Sequence, residues 1–205
     1  MEIACLDLEG VLIPEIWIAF AEKTGIEELK RTTRDEPDYD VLMNYRLDLL
    51  RQHGLGLHEI QAVIATLKPL DGALEFVNWL RERFQVVILS DTFYDFASPF
   101  MKQLGYPTLL CHKLEADENG TLVNYHLRQA NPKRQAIVGF KSMYYRTIAA
   151  GDSYNDISML AEAAAGILFH APENVIAEFP QFPAVHTFDD LKQEFLRASN
   201  RPLEL

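Results

Sequence analysis

The stretch Ile3-Ala4-Cys5-Leu6-Asp7-Leu8-Glu9-Gly10-Val11 determines how the rest of the chain is interpreted. Its first four residues form a short apolar run, which is typical of a buried strand, and Gly10 predicts a tight turn soon after it. In open parallel sheets, ligands bind beyond the carboxyl ends of the strands. We therefore expect Asp7 and Glu9, two residues apart at such an end, to reach one small site.

A second acidic cluster follows another apolar run, in Ile148-Ala149-Ala150-Gly151-Asp152-Ser153-Tyr154-Asn155-Asp156. One acidic pair alone is most often a solvated turn, but two such clusters at strand ends favour a divalent metal site. Magnesium takes oxygen ligands and binds through one or two protein carboxylates. We predict Mg²⁺ as the cofactor, with Asp7 and Asp152 as ligands and the main-chain carbonyl of Glu9 as a further oxygen.

Composition and charge exclude several classes of function. The 205 residues are 48% hydrophobic, enough for a full core, and the net charge of −11 argues against a nucleic acid or an anionic membrane as partner. With only Cys5 and Cys111, no disulfide framework is expected, which fits a reducing compartment. No signal sequence or membrane span is evident. We predict a cytoplasmic protein with a small-molecule substrate, and the oligomeric state stays open, a homodimer included.

The order of predicted elements indicates an α/β fold. Strands predicted at 86–89, 108–111, 147–150, 166–169 and 185–187 alternate with helices, and Asn119-Gly120 predicts the turn of a β-hairpin. Such alternation is typical of a three-layer structure around a parallel sheet with right-handed crossovers.

Residues 15–68 contain helical patterns and no convincing strand. This insertion follows the first acidic loop, where a ligand loop is expected, and therefore predicts a helical lid. The predicted domains are an α/β core at 1–14 and 69–205 and a helical cap at 15–68.

Phosphoryl transfer would use these carboxylates together with groups that bind phosphate oxygens. Ser90 and Thr92, which flank Asp91 after a hydrophobic strand, and Lys133 in a first helical turn are the candidates. Taken singly, a sequence such as Ser90-Asp91-Thr92 is usually a helix N-cap, and a lysine such as Lys133 is usually solvated. Asp7 could attack the phosphorus to form an aspartyl phosphate.

Glu9 could supply the proton transfers of such a reaction. It would protonate the leaving alcohol and then deprotonate the attacking water. For this role its pKa should exceed the usual ~4.3 of a glutamate.

The order of the four motifs resembles the haloacid dehalogenase superfamily: an acidic loop after the first strand, a serine, a lysine and a terminal acidic pair. The resemblance covers nearly the whole chain and implies a Rossmann-like core with parallel sheet, an inserted all-helical cap and Mg²⁺. It implies that Asp7 is the nucleophile and Glu9 the acid/base. It implies phosphate binding for Ser90 and Lys133.

For the terminal motif, the resemblance implies that Asp152 is the metal ligand and that Asp156 stabilises the site without binding the metal directly. The stretch from Gly151 to Asp156, followed by Met159-Leu160, is similar to the phosphoserine phosphatase branch. By that similarity Asp91, Thr92 and Asn155, which belong to these motifs, are counted among the substrate-binding residues.

The same branch implies a clamp for the amino-acid end of phosphoserine. Glu15 would bind the ammonium and Arg46 the carboxylate, a pairing that the charges of a zwitterion require. Met43, three residues before Arg46 on one helix face, would pack on the stem of the substrate, although a methionine there is more often core.

Three departures from the branch indicate a divergent subgroup. Glu9 stands where an aspartate is usual, Ser90-Asp91-Thr92 replaces Ser-Gly-Gly, and Glu15 lies eight rather than nine residues after Asp7. The chain is similar to the bifunctional type that also passes the phosphoryl group from L-phosphoserine to L-homoserine.

Three other readings stay open at this point. A phospho-acceptor receiver module would be about half this length, without the 15–68 insertion. A metal-free dehalogenase would leave Asp152 and Asp156 unexplained. A phosphatase or mutase of another small phosphate ester, such as a sugar phosphate, would use the same core.

Overall fold

The structure, a computed structural model, describes residues 1–32, 35–36 and 38–201. Its strands, in chain order, are β1 Glu2–Leu6, β2 Gln85–Phe93, β3 Thr108–Ala116, β4 Leu122–His126, β5 Arg146–Gly151, β6 Ala165–Phe169 and β7 Ala184–Val185. The helices are α1 Ile16–Thr24, α2 Tyr39–Gln52, α3 Leu57–Ile64, α4 Ala73–Arg81, α5 Tyr94–Gln103, α6 Pro132–Ser142, α7 Ile157–Glu162, α8 Glu173–Glu178 and α9 Phe188–Ala198. Short 3-10 turns cover Glu27–Lys30 and Tyr154–Asp156.

The strands form one sheet in the order β4-β3-β2-β1-β5-β6-β7, parallel except for β4. The predicted α/β fold with a parallel sheet is confirmed. Strand β1 lies in the middle, with Leu6 opposite Ile88 of β2 on one side and Ala150 of β5 on the other. This register brings the carboxyl ends of β1, β2 and β5 together, so the two acidic clusters that follow β1 and β5 lie close to each other, as predicted.

Alternate residues of the strands fill two separate cores. On one face Ala4, Leu6 and Ile148 pack with residues of α4, α5 and α9, while on the other Ile3 and Cys5 pack with α6, α7 and α8. A strand buried on both faces carries no polar alternation, which explains why β1 reads as a continuous apolar run.

Two strands extend further than the sequence predicted. Strand β2 continues through Ser90 to Phe93, with a register shift between Leu89 and Phe93. Strand β3 continues through Lys113, pairing in parallel with β2 and then antiparallel with β4. The predicted short strand and the first arm of the hairpin are therefore one element.

Helices α1, α2 and α3 lie between β1 and β2 in the chain and contact the core at several points. The Trp17 ring meets Phe96 edge to face with centroids 5.4 Å apart, and Gln61 donates to the carbonyl of Asp95 at 3.0 Å. The amide of Leu57 donates to the carbonyl of Gly120 in the hairpin turn at 2.8 Å. Among the described residues, no helix combines the length and hydrophobicity needed to cross a bilayer.

Glu2 joins the start of β1 to the end of the described chain. Its carboxylate, 4% exposed, accepts from Ser199, the Asn200 amide and Arg201, and pairs with Arg146 at 3.0 Å. Burial would raise the pKa of Glu2, but these four partners lower it to about 2.

We expect Glu2→Gln to lower the free energy of unfolding by about 2 kcal/mol at pH 7, because it weakens several charge-assisted contacts. Since the folded pKa lies below that of the unfolded chain, the stabilisation is present above about pH 4.5 and lost as the pH falls towards 2. Urea unfolding at pH 7 and pH 3.5 measures this. The difference between wild type and Glu2→Gln should shrink at pH 3.5; Glu82→Gln, in an exposed ion pair, is the control.

Candidate active site

The site is built around the ion pair between Asp7 and Lys133. Both side chains are buried, and Nζ of Lys133 lies 3.0 Å from Oδ1 of Asp7. The same Oδ1 accepts from the Leu8 amide at 2.7 Å, which fixes the orientation of the carboxylate. Burial and the nearby Asp156 raise the pKa of Asp7 well above its ordinary value, against the opposing effect of Lys133.

Lys133 lies in the first turn of α6 and is surrounded by carboxylates. Its Nζ lies 2.7 Å from Asp156 and 3.3 Å from Asp91, in addition to Asp7. Burial would lower the pKa of Lys133, but Asp156, Asp7 and Asp91 raise it well above its ordinary value. Lys133 is therefore a fixed cation and not the solvated lysine that its residue type alone favours.

The terminal acidic motif folds back on itself. The fully buried Asp156 accepts from the amides of Asp152 at 2.9 Å and Ser153 at 3.2 Å. A Cβ at Gly151 would lie 2.4 Å from the Asp156 side chain, and one at Gly10 would lie 2.5 Å from Oδ2 of Asp152. Gly10 also has φ +75°, so both close contacts and backbone require glycine there.

Carboxylate oxygens of Asp7, Asp152 and Asp156 lie within 4.8 Å of one another. Burial, Asp156 and Glu15 raise the pKa of Asp152 to about 7. Such mutual repulsion among hard oxygen donors is what a divalent cation would relieve, so this donor set fits Mg²⁺. Both oxygens of Asp156 are engaged, Oδ1 with Lys133 and Oδ2 with two amides. The contacts of Asp7 with Lys133 and Leu8 use Oδ1 alone, so Asp7 and Asp152 are better placed than Asp156 to bind a cation.

The end of β2 contributes Ser90, Asp91 and Thr92, all of which line the cavity. The Ser90 hydroxyl accepts from the Thr92 amide at 3.2 Å. Asp91, by contrast, is engaged with Lys133 and accepts from the Asn155 amide group at 3.0 Å. Burial would raise the pKa of Asp91, but Lys133 and hydrogen bonds hold it well below the ordinary value.

Asp91 is therefore an anion, and an anionic ligand would be repelled by it. Asp91 contacts Lys133 and Asn155 contacts Asp91, and the prediction that both residues bind the substrate stays a prediction.

Glu9, Glu15 and Arg46 face the same cavity from the first loop and from α2. Burial and Glu15 raise the pKa of Glu9 to about 8, with Arg46 and a hydrogen bond from Thr92 opposing. Glu9 is thus largely protonated near neutral pH, as a proton donor must be.

Arg46 is 6% exposed and held from several sides. Its Nη2 donates to the Arg31 carbonyl at 2.8 Å, and its guanidinium lies 4.5 Å over the Trp17 ring. Its Nε is buried and has no hydrogen-bond partner among the described residues. A buried unsatisfied donor is costly, and an anionic ligand in the cavity would satisfy it.

Met43 does not line the cavity. It is fully buried in the core, and its Sδ contacts Nη1 of Arg46 at 3.8 Å. Met43 therefore packs against Arg46, and its contact with the substrate stays a prediction.

The site also contains residues that were not predicted from the sequence. Trp17 and Tyr39 are among those that line the cavity, and the buried His112 lies 3.6 Å from Asp91. Only His112 had a usable signal, since a histidine at the end of the apolar run Leu109-Leu110-Cys111 is expected to have a polar partner.

The cavity encloses about 200 Å³. Asp7, Lys133, Asp152, Glu15 and Arg46 all line it. Its volume and its mixture of acidic and basic side chains suit a small charged ligand.

Comparisons with known proteins show the family of the chain. Residues 1–164 match the model of the haloacid dehalogenase-like hydrolase family. Over all 205 residues of both proteins, the chain is 75% identical to the phosphoserine phosphatase ThrH of Pseudomonas aeruginosa. It is 74% identical to a phosphoserine phosphatase of Pseudomonas syringae pv. tomato, covering all of this chain and 86% of that one.

The fold is also similar to solved structures. A phospho-aspartyl intermediate analogue of phosphoserine phosphatase superposes with a TM-score of 0.76 at 19% identity, covering 94% of this chain and 97% of the other. A substrate-bound phosphoserine phosphatase complex superposes with a TM-score of 0.75 at 21% identity, covering 95% and 96%. At these identities the likeness concerns the fold.

Proposed function

Because the chain belongs to the haloacid dehalogenase-like hydrolase family, we propose that it hydrolyses L-phosphoserine through an aspartyl phosphate on Asp7. One observation carries the proposal: a buried carboxylate–lysine pair and a buried arginine with an unsatisfied Nε line the same small cavity. The high identity to two phosphoserine phosphatases supports the same substrate.

In the first step, a carboxylate oxygen of Asp7 attacks the phosphorus and the bond to the serine oxygen breaks. Lys133 neutralises charge on the phosphoryl oxygens, and the Ser90 hydroxyl is a further donor to them. The contact of Lys133 with Oδ1 of Asp7 holds nucleophile and phosphate in register.

Glu9 provides the proton for the leaving serine. Its raised pKa keeps it protonated before the first step. Once it has given the proton away, it accepts one from the water that hydrolyses the aspartyl phosphate, which returns both Asp7 and Glu9 to their starting states.

The amino-acid end of the substrate lies against Glu15 and Arg46. Glu15 attracts the ammonium, and Arg46 donates to the carboxylate with Nε and its terminal nitrogens. Helices α1–α3, within the proposed cap 15–68, thus supply specificity while the strand ends supply chemistry.

Asp7, Asp152 and the Glu9 carbonyl would hold Mg²⁺, which would neutralise charge on the transferring phosphoryl group when bound. A small-metabolite enzyme of this kind belongs in the cytoplasm.

A second activity, transfer of the phosphoryl group to L-homoserine, follows from the same site. An alcohol would replace water as acceptor of the aspartyl phosphate, beside the same Glu9. Homoserine carries the same ammonium and carboxylate as serine, so Glu15 and Arg46 suit both.

The test is incubation with L-phosphoserine and Mg²⁺, with and without L-homoserine, followed by ³¹P NMR. Phosphate release is expected in both samples, and O-phosphohomoserine only in the second. Phosphate release without O-phosphohomoserine would remove the transfer activity; no reaction, with turnover of a sugar phosphate instead, would contradict the assigned substrate.

Arg46 should decide between substrates with and without a carboxylate. We expect Arg46→Met to raise KM for L-phosphoserine about 100-fold, because a charged pair in a buried cavity is lost. O-phosphoethanolamine, which lacks the carboxylate, should lose less than threefold in kcat/KM. Equal losses in kcat/KM for both substrates would show that Arg46 stabilises the fold and does not bind the carboxylate. The control is Arg51→Met, on the exposed side of α2.

A further inference from the structure

We propose that His112 is a positioning residue: through Asp91, it sets the place of the Lys133 ammonium on which phosphate binding depends. The inference rests on the proposed function, since it assigns a role in the same site. It starts from a histidine that is 2% exposed, at the point where β3 passes the register shift of β2.

The main chain fixes the protonation pattern of the His112 ring. Its Nδ1 accepts a hydrogen bond from the amide of Arg128 at 3.0 Å. In the neutral ring the proton must then be on Nε2, and Nε2 is the atom that faces Oδ1 of Asp91 at 3.6 Å. With Nδ1 accepting from Arg128, His112 presents its Nε2–H to Asp91.

Both oxygens of Asp91 face polar groups. Oδ1 faces Nε2 of His112 at 3.6 Å, while Oδ2 accepts from Asn155 at 3.0 Å and lies 3.3 Å from Nζ of Lys133. A carboxylate with polar groups at both oxygens is less free to rotate than one with a partner at a single oxygen. The position of Oδ2 in turn sets where the Lys133 ammonium lies.

The position of Lys133 matters because its other partners draw it elsewhere. Asp156 holds Nζ at 2.7 Å and Asp7 holds it at 3.0 Å, both on the side of the metal site. Asp91 is the partner at the end of β2, beside Ser90, where the phosphoryl oxygens are proposed to bind. If Asp91 turned away, Nζ would follow Asp156 and leave that region.

Two substitutions separate this role from a purely structural one. His112→Asn keeps an acceptor near the Nδ1 position for the Arg128 amide but removes the donor to Asp91. His112→Gln places an amide donor near the Nε2 position but removes the acceptor for Arg128. A positioning role requires the second variant to bind phosphate like wild type, whereas an anchoring role for Arg128 requires the reverse.

The measurement is calorimetric titration of the Mg²⁺-loaded protein with inorganic phosphate, alongside KM and kcat for L-phosphoserine. We expect His112→Asn to weaken phosphate binding about tenfold and to raise KM more than it lowers kcat. His112→Gln should stay within threefold of wild type. The control is His126→Asn, at the exposed histidine of the neighbouring strand.

A double-mutant cycle closes the test. In an Asp91→Asn background, His112→Asn should add less than twofold, because its effect passes through the Asp91 carboxylate. The proposal would be overturned if the losses in phosphate affinity of the two substitutions were additive, or if His112→Gln bound phosphate more weakly than His112→Asn. It would also be overturned if the wild type did not bind phosphate. Wild-type phosphate binding without phosphoserine hydrolysis would instead count against the proposed function alone.

Discussion

Asp7→Asn is expected to lower kcat for L-phosphoserine by at least roughly 10⁴-fold, because an amide oxygen cannot take the place of the carboxylate that forms the aspartyl phosphate. The variant should fold normally. Burial and Asp156 raise the pKa of Asp7, so its charge costs the folded state free energy that the amide does not.

The measurement is single-turnover release of phosphate, with thermal unfolding in the presence and absence of Mg²⁺. Wild type should gain more stability from Mg²⁺ than Asp7→Asn, because the variant loses one carboxylate ligand. Turnover retained within tenfold would contradict the covalent mechanism, provided that mass spectrometry shows no deamidation back to aspartate.

Lys133→Met is expected to have the largest effect on stability. It leaves Asp7, Asp91 and Asp156 buried around a missing cation, and breaking a buried ionic network from one side costs about 3–5 kcal/mol. Phosphoserine hydrolysis should fall by at least about 10²-fold as well, since Lys133 binds the phosphoryl oxygens.

Lys141→Met is the matched control on the same helix. Lys141 pairs with Glu162 at the surface, and an ion pair of this kind contributes little to stability because solvent screens it. Urea unfolding of both variants at pH 7 gives the comparison. Equal free energies of unfolding for the two variants would show that the three carboxylates do not depend on Lys133.

The fold and the grouping of Asp7, Asp152 and Lys133 could be predicted from sequence because their signals are local. An apolar run followed by an acidic turn marks the ends of β1 and β5, and parallel pairing then brings Asp7 and Asp152 together. The helix start at Lys133 is marked by Asn131-Pro132. These features require no knowledge of how distant side chains pack.

The supporting contacts could not be predicted in the same way. The contact of His112 with Asp91 depends on a register shift in β2. The sequence contains no pattern that predicts the position of this shift. The packing of Met43 behind Arg46 depends on how deeply α2 is buried, which helical spacing leaves undetermined. Such details are set by tertiary packing and not by pattern.

The central place of β1 has a consequence for the order in which the chain folds. β1 reaches the solvent first among the strands during synthesis, yet its partners β2 and β5 follow only at Gln85–Phe93 and Arg146–Gly151. Closing loops of this length delays pairing, whereas α1–α3 can form through local contacts. The apolar residues Ile3–Leu6 therefore stay unpaired at least until β2 has been made, and a nascent chain with such an exposed strand is vulnerable to aggregation.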